Sequence, residues 1–380
     1  MPFKETDRME QREALIAAWK SGMYDVSELA RQFDVSRPTV YRWISRDEAS
    51  ESLSDRSRAP HQIPHRTDSE LIAEALELRA RHPKWGPKKL VAVLKDRRPE
   101  VVWPAPSTVG DLLKREGLVA QRRRRNRAIL VREKLIEPAY AGQIMTADFK
   151  GHFRMGNGTY CYPLTIADPF SRFIYAIHAL ASPSTVGSRP VFDRVFRGHG
   201  IPQIIMTDNG EPFCAPQGFA RLSMLSVDWL RLGIELRQSR PGHPQDNGRH
   251  ERMHKTLKDE TARPPMQTMR HQQRRFDEFR SEFNNERPHE SLGQRTPRSI
   301  HVDPVRKYPR RLPEPVYPGH FEVRVVGRGG EIRWRGDRFF LSQCLGGQSI
   351  GLEEVDDGVW SIYFMSKLLG RFDEGKRVLR

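Results

Sequence analysis

The chain has 380 residues, with 64 Lys and Arg against 48 Asp and Glu, a net charge of +16, and 37% hydrophobic residues. That length allows two to four domains, and with no apolar run of about eighteen residues a membrane-spanning helix is not expected. The basic excess calls for a polyanionic partner and salt-sensitive binding, which nucleic acid, a ribosome or an acidic membrane surface would satisfy equally.

The first twenty residues are charged and amphipathic, unlike a secretory signal. Cys161, Cys214 and Cys344 lie far apart, which suits neither a disulfide framework nor a Cys-pair zinc site. A reducing cytoplasm is the expected compartment.

Residues 8–46 read as a helix-turn-helix within a domain at 1–50. A first helix carries Leu15, Ile16 and Trp19, and a second spans Val26 to Phe33. Ser36 is placed to cap a third helix and Pro38 suits its first turn. That helix would present Arg37, Thr39 and Arg42 outward, as a recognition helix does in a major groove, with Val40 and Trp43 in the core. Residues 51–67, rich in Ser, Arg, Pro and His, read as a linker. His61 and His65 have a zinc-like spacing without a Cys pair.

Residues 68–120 read as a second winged or helix-turn-helix-like unit. Leu71, Ile72, Ala75, Leu76 and Leu78 form an apolar face. Gly86-Pro87-Lys88-Lys89-Leu90 starts one helix, and Pro106-Ser107-Thr108-Val109 another; Lys88, Lys89, Ser107 and Thr108 are candidate DNA contacts. In the basic linker at 121–141, Arg122, Arg123, Arg124, Arg125 and Arg127 put five arginines in six positions. Such a run stays extended unless phosphates neutralise it.

Residues 142–297 alternate strand-like and helical runs. Strands are expected at 143–149, 160–167, 172–180, 203–207 and 234–238, and helices at 185–198, 216–232, 246–262 and 270–286. The order describes a mixed sheet with helices on both faces. Asp148 lies within the first strand. Asp208 follows Ile204-Ile205-Met206-Thr207, at the end of another. Glu251 sits in the first turns of a helix that follows the loop Pro241-Gly242-His243-Pro244-Gln245-Asp246-Asn247-Gly248. Asp168 is expected to cap a turn or pair with Arg172; Asp246 reads as a loop or helix-start residue, and Asp193, Glu211 and Asp228 as solvated. Residues 298–318 are a Pro/Arg-rich linker, expected on DNA or a neighbouring subunit. From 319 to 380, short strands between Gly-rich turns spell a small antiparallel barrel with Trp334, Phe340 and Trp360 inside.

The motifs ADFKG (147–151), ADPFSRF (167–173), TDNGEPF (207–213), the loop and helix around Glu251, and FNNERPHESLGQRTP (283–297) together resemble the DDE transposases and integrases of the retroviral integrase superfamily, bacterial insertion-sequence transposases in particular. The resemblance covers 143–297 in detail. It implies an RNase H-like α/β core between all-α helix-turn-helix modules and a C-terminal all-β, SH3-like barrel. It implies that Asp148, Asp208 and Glu251 are catalytic and bind two Mg²⁺ ions, for which Mn²⁺ substitutes. One departure is the 42-residue gap between Asp208 and Glu251, longer than the family's usual spacing. The surplus falls between Phe213 and Gly233 and should lengthen a surface helix without moving the triad.

The chemistry explains the residue types. Phosphoryl transfer passes through a crowded, highly charged state that two divalent ions steady. Mg²⁺ takes oxygen ligands and keeps several waters, so a few carboxylates suffice. Lys150, Asn209, His243, Gln245, Asn247, Arg249, His254, Lys255 and Lys258 would line the DNA channel, with Lys150, Arg249, Lys255 and Lys258 meeting phosphates. The expected partners are double-stranded DNA, as element ends and target, and further copies of the chain, at least as a dimer on DNA. The expected localisation is the cytoplasm, on the nucleoid. A same-fold nuclease that only hydrolyses and a domesticated regulator without catalysis are the alternatives. The sequence leaves open whether an accessory ATPase or host factor takes part.

Overall fold

The computed structural model describes residues 7–55, 67–119, 137–149, 151–215, 219–239, 248–376 and 378–379. The chain divides into two compact units, 1–67 and 68–380.

In the first unit, α1 (Arg8–Lys20), α2 (Val26–Gln32) and α3 (Arg37–Glu48) close over Leu15, Ile16, Leu29, Ala30, Val40 and Ile44. A capping box starts α2: the Asp25 carboxylate accepts the Glu28 N–H at 2.7 Å, and Glu28 accepts the Asp25 N–H at 2.9 Å. Trp43 was expected in the core but is only half-buried. Val40 and Ile44, four residues apart, carry the buried stripe of α3, and Trp43 sits on its shoulder beneath the Arg12 guanidinium, 4.2 Å from the ring centre. Arg12 also donates to the Leu53 carbonyl at 2.8 Å and pairs with Asp55 at 2.6 Å. The expected linker therefore begins folded against its own helices.

The second unit opens with α4 (Ser69–Arg81), α5 (Pro87–Arg97) and α6 (Pro106–Arg115), packed around Leu78, Trp85, Leu90, Leu94, Trp103 and Val109. These described helices carry no wing. They rest on the domain that follows: His82 stacks on Trp85 and lies 3.2 Å from Glu282, the Lys84 amine donates to the Asp259 carbonyl, and Lys88 meets Glu290 at 2.7 Å.

That domain runs β1 (Ile144–Phe149), β2 (Phe153–Arg154), β3 (Tyr160–Ala167), β4 (Ile174–Leu180), α7 (Thr185–His199), β5 (Ile204–Thr207), α8 (Met224–Arg231), β6 (Glu235–Gln238), α9 (Gly248–Thr261) and α10 (Met269–Asn285). Strands order as β2-β3-β1-β5-β6, with β4 also on β3. Pairing is antiparallel among β1, β3 and β4 and parallel among β1, β5 and β6. One face buries Leu164, Ile166, Phe192, Phe196 and Trp229 with α7 and α8; the other buries Cys161, Ile177, Met253, Leu257, Phe276 and Phe283 with α9 and α10. This is the mixed sheet with helices on both faces that the periodicity predicts. Two motif residues fasten it. The Asn284 amide accepts from and donates to the backbone of Ile174, both at 2.9 Å, and Arg287 pairs with Glu260 at 3.0 Å, tying α10 to β4 and to α9.

Residues 298–318 were expected on DNA or another subunit; instead they strap the chain's own core. Arg306 donates to the carbonyls of Pro202, Leu232 and Gly233, and Tyr308 donates to Asp193 at 2.9 Å. Arg231 donates to the carbonyl oxygens of Leu312 and Pro313. The approach is close enough to require glycine at Gly142 and Gly200: a Cβ there would come within 2.7 Å of the Val302 carbonyl and 2.5 Å of the Pro304 carbonyl, and both have positive φ.

The C-terminal strands are β7 (Glu322–Val325), β8 (Glu331–Trp334), β9 (Asp337–Phe340), β10 (Ser349–Asp356), β11 (Val359–Phe364), β12 (Lys367–Asp373) and β13 (Val378–Leu379). They do not close into the expected barrel. Among the described residues, a five-stranded sheet β13-β12-β11-β10-β7 ends at β7 and β13, and β8 pairs only with β9. Trp334 and Trp360 are buried as expected, but Phe340 is exposed. Strand alternation is the reason: β9 turns Phe339 inward against Phe372, so the next residue faces out.

Candidate active site

Three elements converge at one end of the mixed sheet's strands. Parallel pairing sets Ala147 of β1 beside Thr207 of β5. The next residue in each segment is an acid, so Asp148 on β1 and Asp208 just past β5 each follow a paired position on neighbouring strands. Asp208 is half-buried, and burial pushes its carboxyl above the usual range, an effect only partly offset by the Gly210 N–H at 3.1 Å. Such a carboxylate gains from a cation beside it.

The third element is α9. Its inward face carries His250, Met253, His254 and Leu257, all buried, while Glu251 in the first turn is exposed. The two histidines bind hydroxyls on β1, which holds Asp148, and on its neighbour β3. His250 Nδ1 lies 2.9 Å from Thr146 Oγ1, and its Nε2 2.6 Å from Thr165 Oγ1. His254 Nε2 shares that hydroxyl at 2.6 Å, and its Nδ1 faces Asp148 Oδ2 at 3.6 Å. The Thr165 hydroxyl also lies 2.9 Å from the Asp148 carbonyl oxygen. Burial holds the His250 ring down to about 3, so it is neutral. This clasp fixes α9, and Glu251 with it, relative to β1. Sequence reading missed His250; its signal was the apolar-like spacing 250, 253, 254, 257. His254, expected in the DNA channel, is 3% exposed. It belongs to the clasp instead, because it shares the inward face with Leu257.

Asp148, His250 and His254 present possible ligand atoms within 4.8 Å of one another. Both nitrogens of His250 are already held by hydroxyls, which leaves the carboxylate oxygens as the donors for a hard cation. Among the described residues, Asp148, Asp208 and Glu251 do not form a group that tight.

The remaining expected residues separate clearly. Lys255 and Lys258 are exposed on α9. Asn209 donates to the Ser239 carbonyl at 2.6 Å, tying the turn after β5 to the end of β6. Arg37 and Arg42 are exposed on α3, but Thr39 is half-buried and its hydroxyl lies 2.9 Å from that of Ser36. Ser107 and Thr108 are exposed at the start of α6. Lys88 pairs with Glu290, and Lys89 is half-buried, its amine pushed down to about 8 by burial and by Arg287. Arg122, Arg123, Arg124, Arg125, Arg127, Lys150, His243, Gln245, Asp246, Asn247 and the Arg249 side chain lie outside the described residues.

Among the other acids, Asp168 is fully buried and caps the turn after β3, accepting from Phe170, Ser171 and Gly142. Asp193 and Asp228, expected to be solvated, are engaged: Asp193 by Tyr308, and Asp228 by Arg189 at 2.7 Å. The surplus between Asp208 and Glu251 is also more than a surface element. Leu222, Val227 and Leu230 pack into the core of the C-terminal sheet.

Residues 138–244 and 232–297 each match a family described as an integrase core domain. Residues 138–297 form an integrase core domain. Ahead of this integrase core, residues 11–61 match a helix-turn-helix domain and 39–113 a homeodomain-like domain. The chain is 24% identical over 237 residues to an uncharacterized protein of insertion element IS407 from Burkholderia multivorans, covering 62% of this chain and 81% of that protein. It is 29% identical over 100 residues to the Pol polyprotein of Radiation murine leukemia virus, covering 26% of this chain but only 16% of the polyprotein. The HTLV-2 integrase catalytic core domain in complex with magnesium aligns with 43% of this chain and 99% of its own, at 16% identity and a TM-score of 0.34. An intasome of simian T-cell lymphotropic virus in complex with PP2A regulatory subunit B56 gamma aligns with 77% of this chain and 97% of its own, at 16% identity and a TM-score of 0.37. By the sequence matches, the integrase core is homologous to insertion-element and retroviral proteins, within a family of polynucleotidyl transferases that typically depends on divalent metal. None of the described helices is long and apolar enough to cross a membrane.

Proposed function

We propose that this protein is a DDE transposase: it binds the ends of its own mobile element, cleaves to free 3′-OH groups and joins them to target DNA. The observation that carries this reading is the register that sets Asp148 and Asp208 each after a paired position on neighbouring strands, with α9 clasped over them. Asp148, Asp208 and Glu251 would hold two Mg²⁺ ions, or Mn²⁺ in their place. The oxygen donors and the half-buried Asp208, whose carboxyl burial pushes up, suit such hard cations. When bound, two ions would activate the attacking oxygen and stabilise the leaving one.

The chain's own residues then do the following. Asp148 and Asp208, on or beside rigid strands, would hold the ions at a fixed place for the scissile phosphate. The clasp keeps Glu251 at a fixed height above them. Lys255 and Lys258, exposed on the same helix, grip the flanking phosphates. Water is the nucleophile at the first step and leaves a 3′-OH on the element end. That hydroxyl attacks a target phosphodiester, and the target's 3′-oxygen departs. Arg37 and Arg42 on α3 read the end sequence, with Ser107 and Thr108 on α6 adding contacts. The arginines at 122–127 track the backbone. Joining two ends in concert calls for two active sites, hence at least a dimer on DNA.

The test is strand transfer with purified protein, Mg²⁺, a labelled duplex of the element's end and a plasmid target. Joined product is expected from wild type. Asp148→Asn, Asp208→Asn and Glu251→Gln should each lower it on the order of 10³-fold or more while still binding the end duplex. Full activity in any one of them would remove that residue from the triad. End binding with neither cutting nor joining by wild type would favour a regulator.

A further inference from the structure

A second cluster of ligand-type side chains lies at the opposite end of the sheet. β1 and β3 run antiparallel, with Thr146 beside Ala167, so Asp168 emerges near the start of β1 while Asp148 stands near its finish. Around Asp168 gather His301 and Asp303 from the strap and His199, the last residue of α7.

A proton count singles out this cluster. Asp168 Oδ2 takes the Ser171 hydroxyl proton at 2.6 Å, along with the N–H groups of Ser171 and Gly142 at 3.3 Å. The serine's one proton is thereby committed. His301 Nδ1 lies 3.2 Å from Ser171 Oγ and 3.5 Å from Asp168 Oδ2, both now acceptors, so Nδ1 must carry the ring's proton. His301 Nε2 is then a lone pair, yet it lies 2.9 Å from Asp303 Oδ1, another acceptor. Positive charge has to lie between them. His199 Nδ1 approaches the same carboxylate oxygen to 2.7 Å. The three ligand atoms lie within 4.8 Å of one another.

We propose that His199, His301 and Asp303 form a zinc site. Two imidazoles and a carboxylate are a donor set for Zn²⁺ with a fourth position left to solvent. A buried carboxylate behind a ligating histidine is how such ligands are oriented, and Asp168 stands in that place behind His301. His301 is further fixed by stacking on Phe173 at 4.0 Å, and its side chain is 1% exposed. Asp303, 46% exposed, has room to draw back until an ion fits about 2.0–2.2 Å from each donor. A proton would serve His301 alone, whereas the ion serves all three donors and staples the strap to α7.

The experiment uses the full chain carrying Asp148→Asn and Asp208→Asn, so that metal bound by the catalytic acids cannot contribute. The protein is stripped with chelator, reloaded with Zn²⁺ and passed over a desalting column. One zinc per chain is expected to remain, with a rise in the unfolding midpoint. Co²⁺ loading should give the intense visible bands of a four-coordinate site. Adding His199→Gln or Asp303→Asn, at partly exposed positions the fold tolerates, should lower retained metal at least tenfold and abolish the cobalt bands. No retained zinc and no cobalt spectrum would mean that a proton alone bridges His301 and Asp303. Metal retained unchanged in both variants would place it elsewhere. Either result overturns the assignment.

Discussion

At the residue scale, the Thr165 hydroxyl is the junction of the candidate active site, shared by His250, His254 and the Asp148 carbonyl. Thr165→Val keeps the shape and removes every one of those bonds. Because it strands buried imidazole nitrogens, it should cost about 1–3 kcal/mol of stability, read as a lower urea midpoint. It should also depress strand transfer more than end binding, since it frees the helix that carries Glu251. His289 provides a pH signature. Burial and the charges of Lys89, Arg287 and Arg172 hold its ring down to about 3, below the ordinary 6.5. The folded state therefore disfavours the proton that the unfolded state takes up. Stability is complete above about pH 6.5 and falls as pH drops toward about 3, by up to about 1.4 kcal/mol per pH unit. Urea titrations from pH 7 to 4.5 should show that slope, added to the like contribution of His250, and His289→Gln should lessen it without abolishing it.

At the element scale, α8 joins two regions that the chain order separates. Its Trp229 packs into the core of the mixed sheet, while Val227 and Leu230 pack with Leu345, Leu352 and Trp360 of the C-terminal sheet. A helix with apolar residues on two faces can be buried on both, which is why the surplus between Asp208 and Glu251 is an interface. Leu230→Ala should cost about 2–5 kcal/mol. The expected signs are a lower thermal midpoint and faster proteolytic release of a C-terminal fragment. The strap follows the same logic. Its Pro and Arg content reads as a linker because its partners are backbone carbonyls, and carbonyls leave no trace in a sequence pattern.

At the scale of the whole molecule, the basic excess is divided among elements with separate tasks. Arg37 and Arg42 on α3 remain exposed, whereas Lys88 and Lys89 on α5 are engaged by the charges around α9 and α10. Deleting residues 1–120 should abolish preference for the element's end over random duplex while leaving weak, salt-sensitive binding through the basic segment and α9. Competition binding at two salt concentrations measures both. Unchanged end preference would contradict recognition by the N-terminal helices.

Local pattern was enough to expose the helix-turn-helix and the strand and helix order of the integrase core, while the three candidate acids came from the family resemblance of short motifs. Each depends on neighbours within a few residues: periodicity, caps, turns and short motifs. Tertiary structure decided the rest. It put His250 and His254 under Thr165, turned Phe339 in and Phe340 out, left the C-terminal sheet open, and folded the strap onto Arg231 and Gly233. These outcomes turn on contacts between residues about a hundred positions apart in the sequence, such as Thr146 with His250 and His199 with Asp303. Only a packed fold determines which buried donor meets which acceptor.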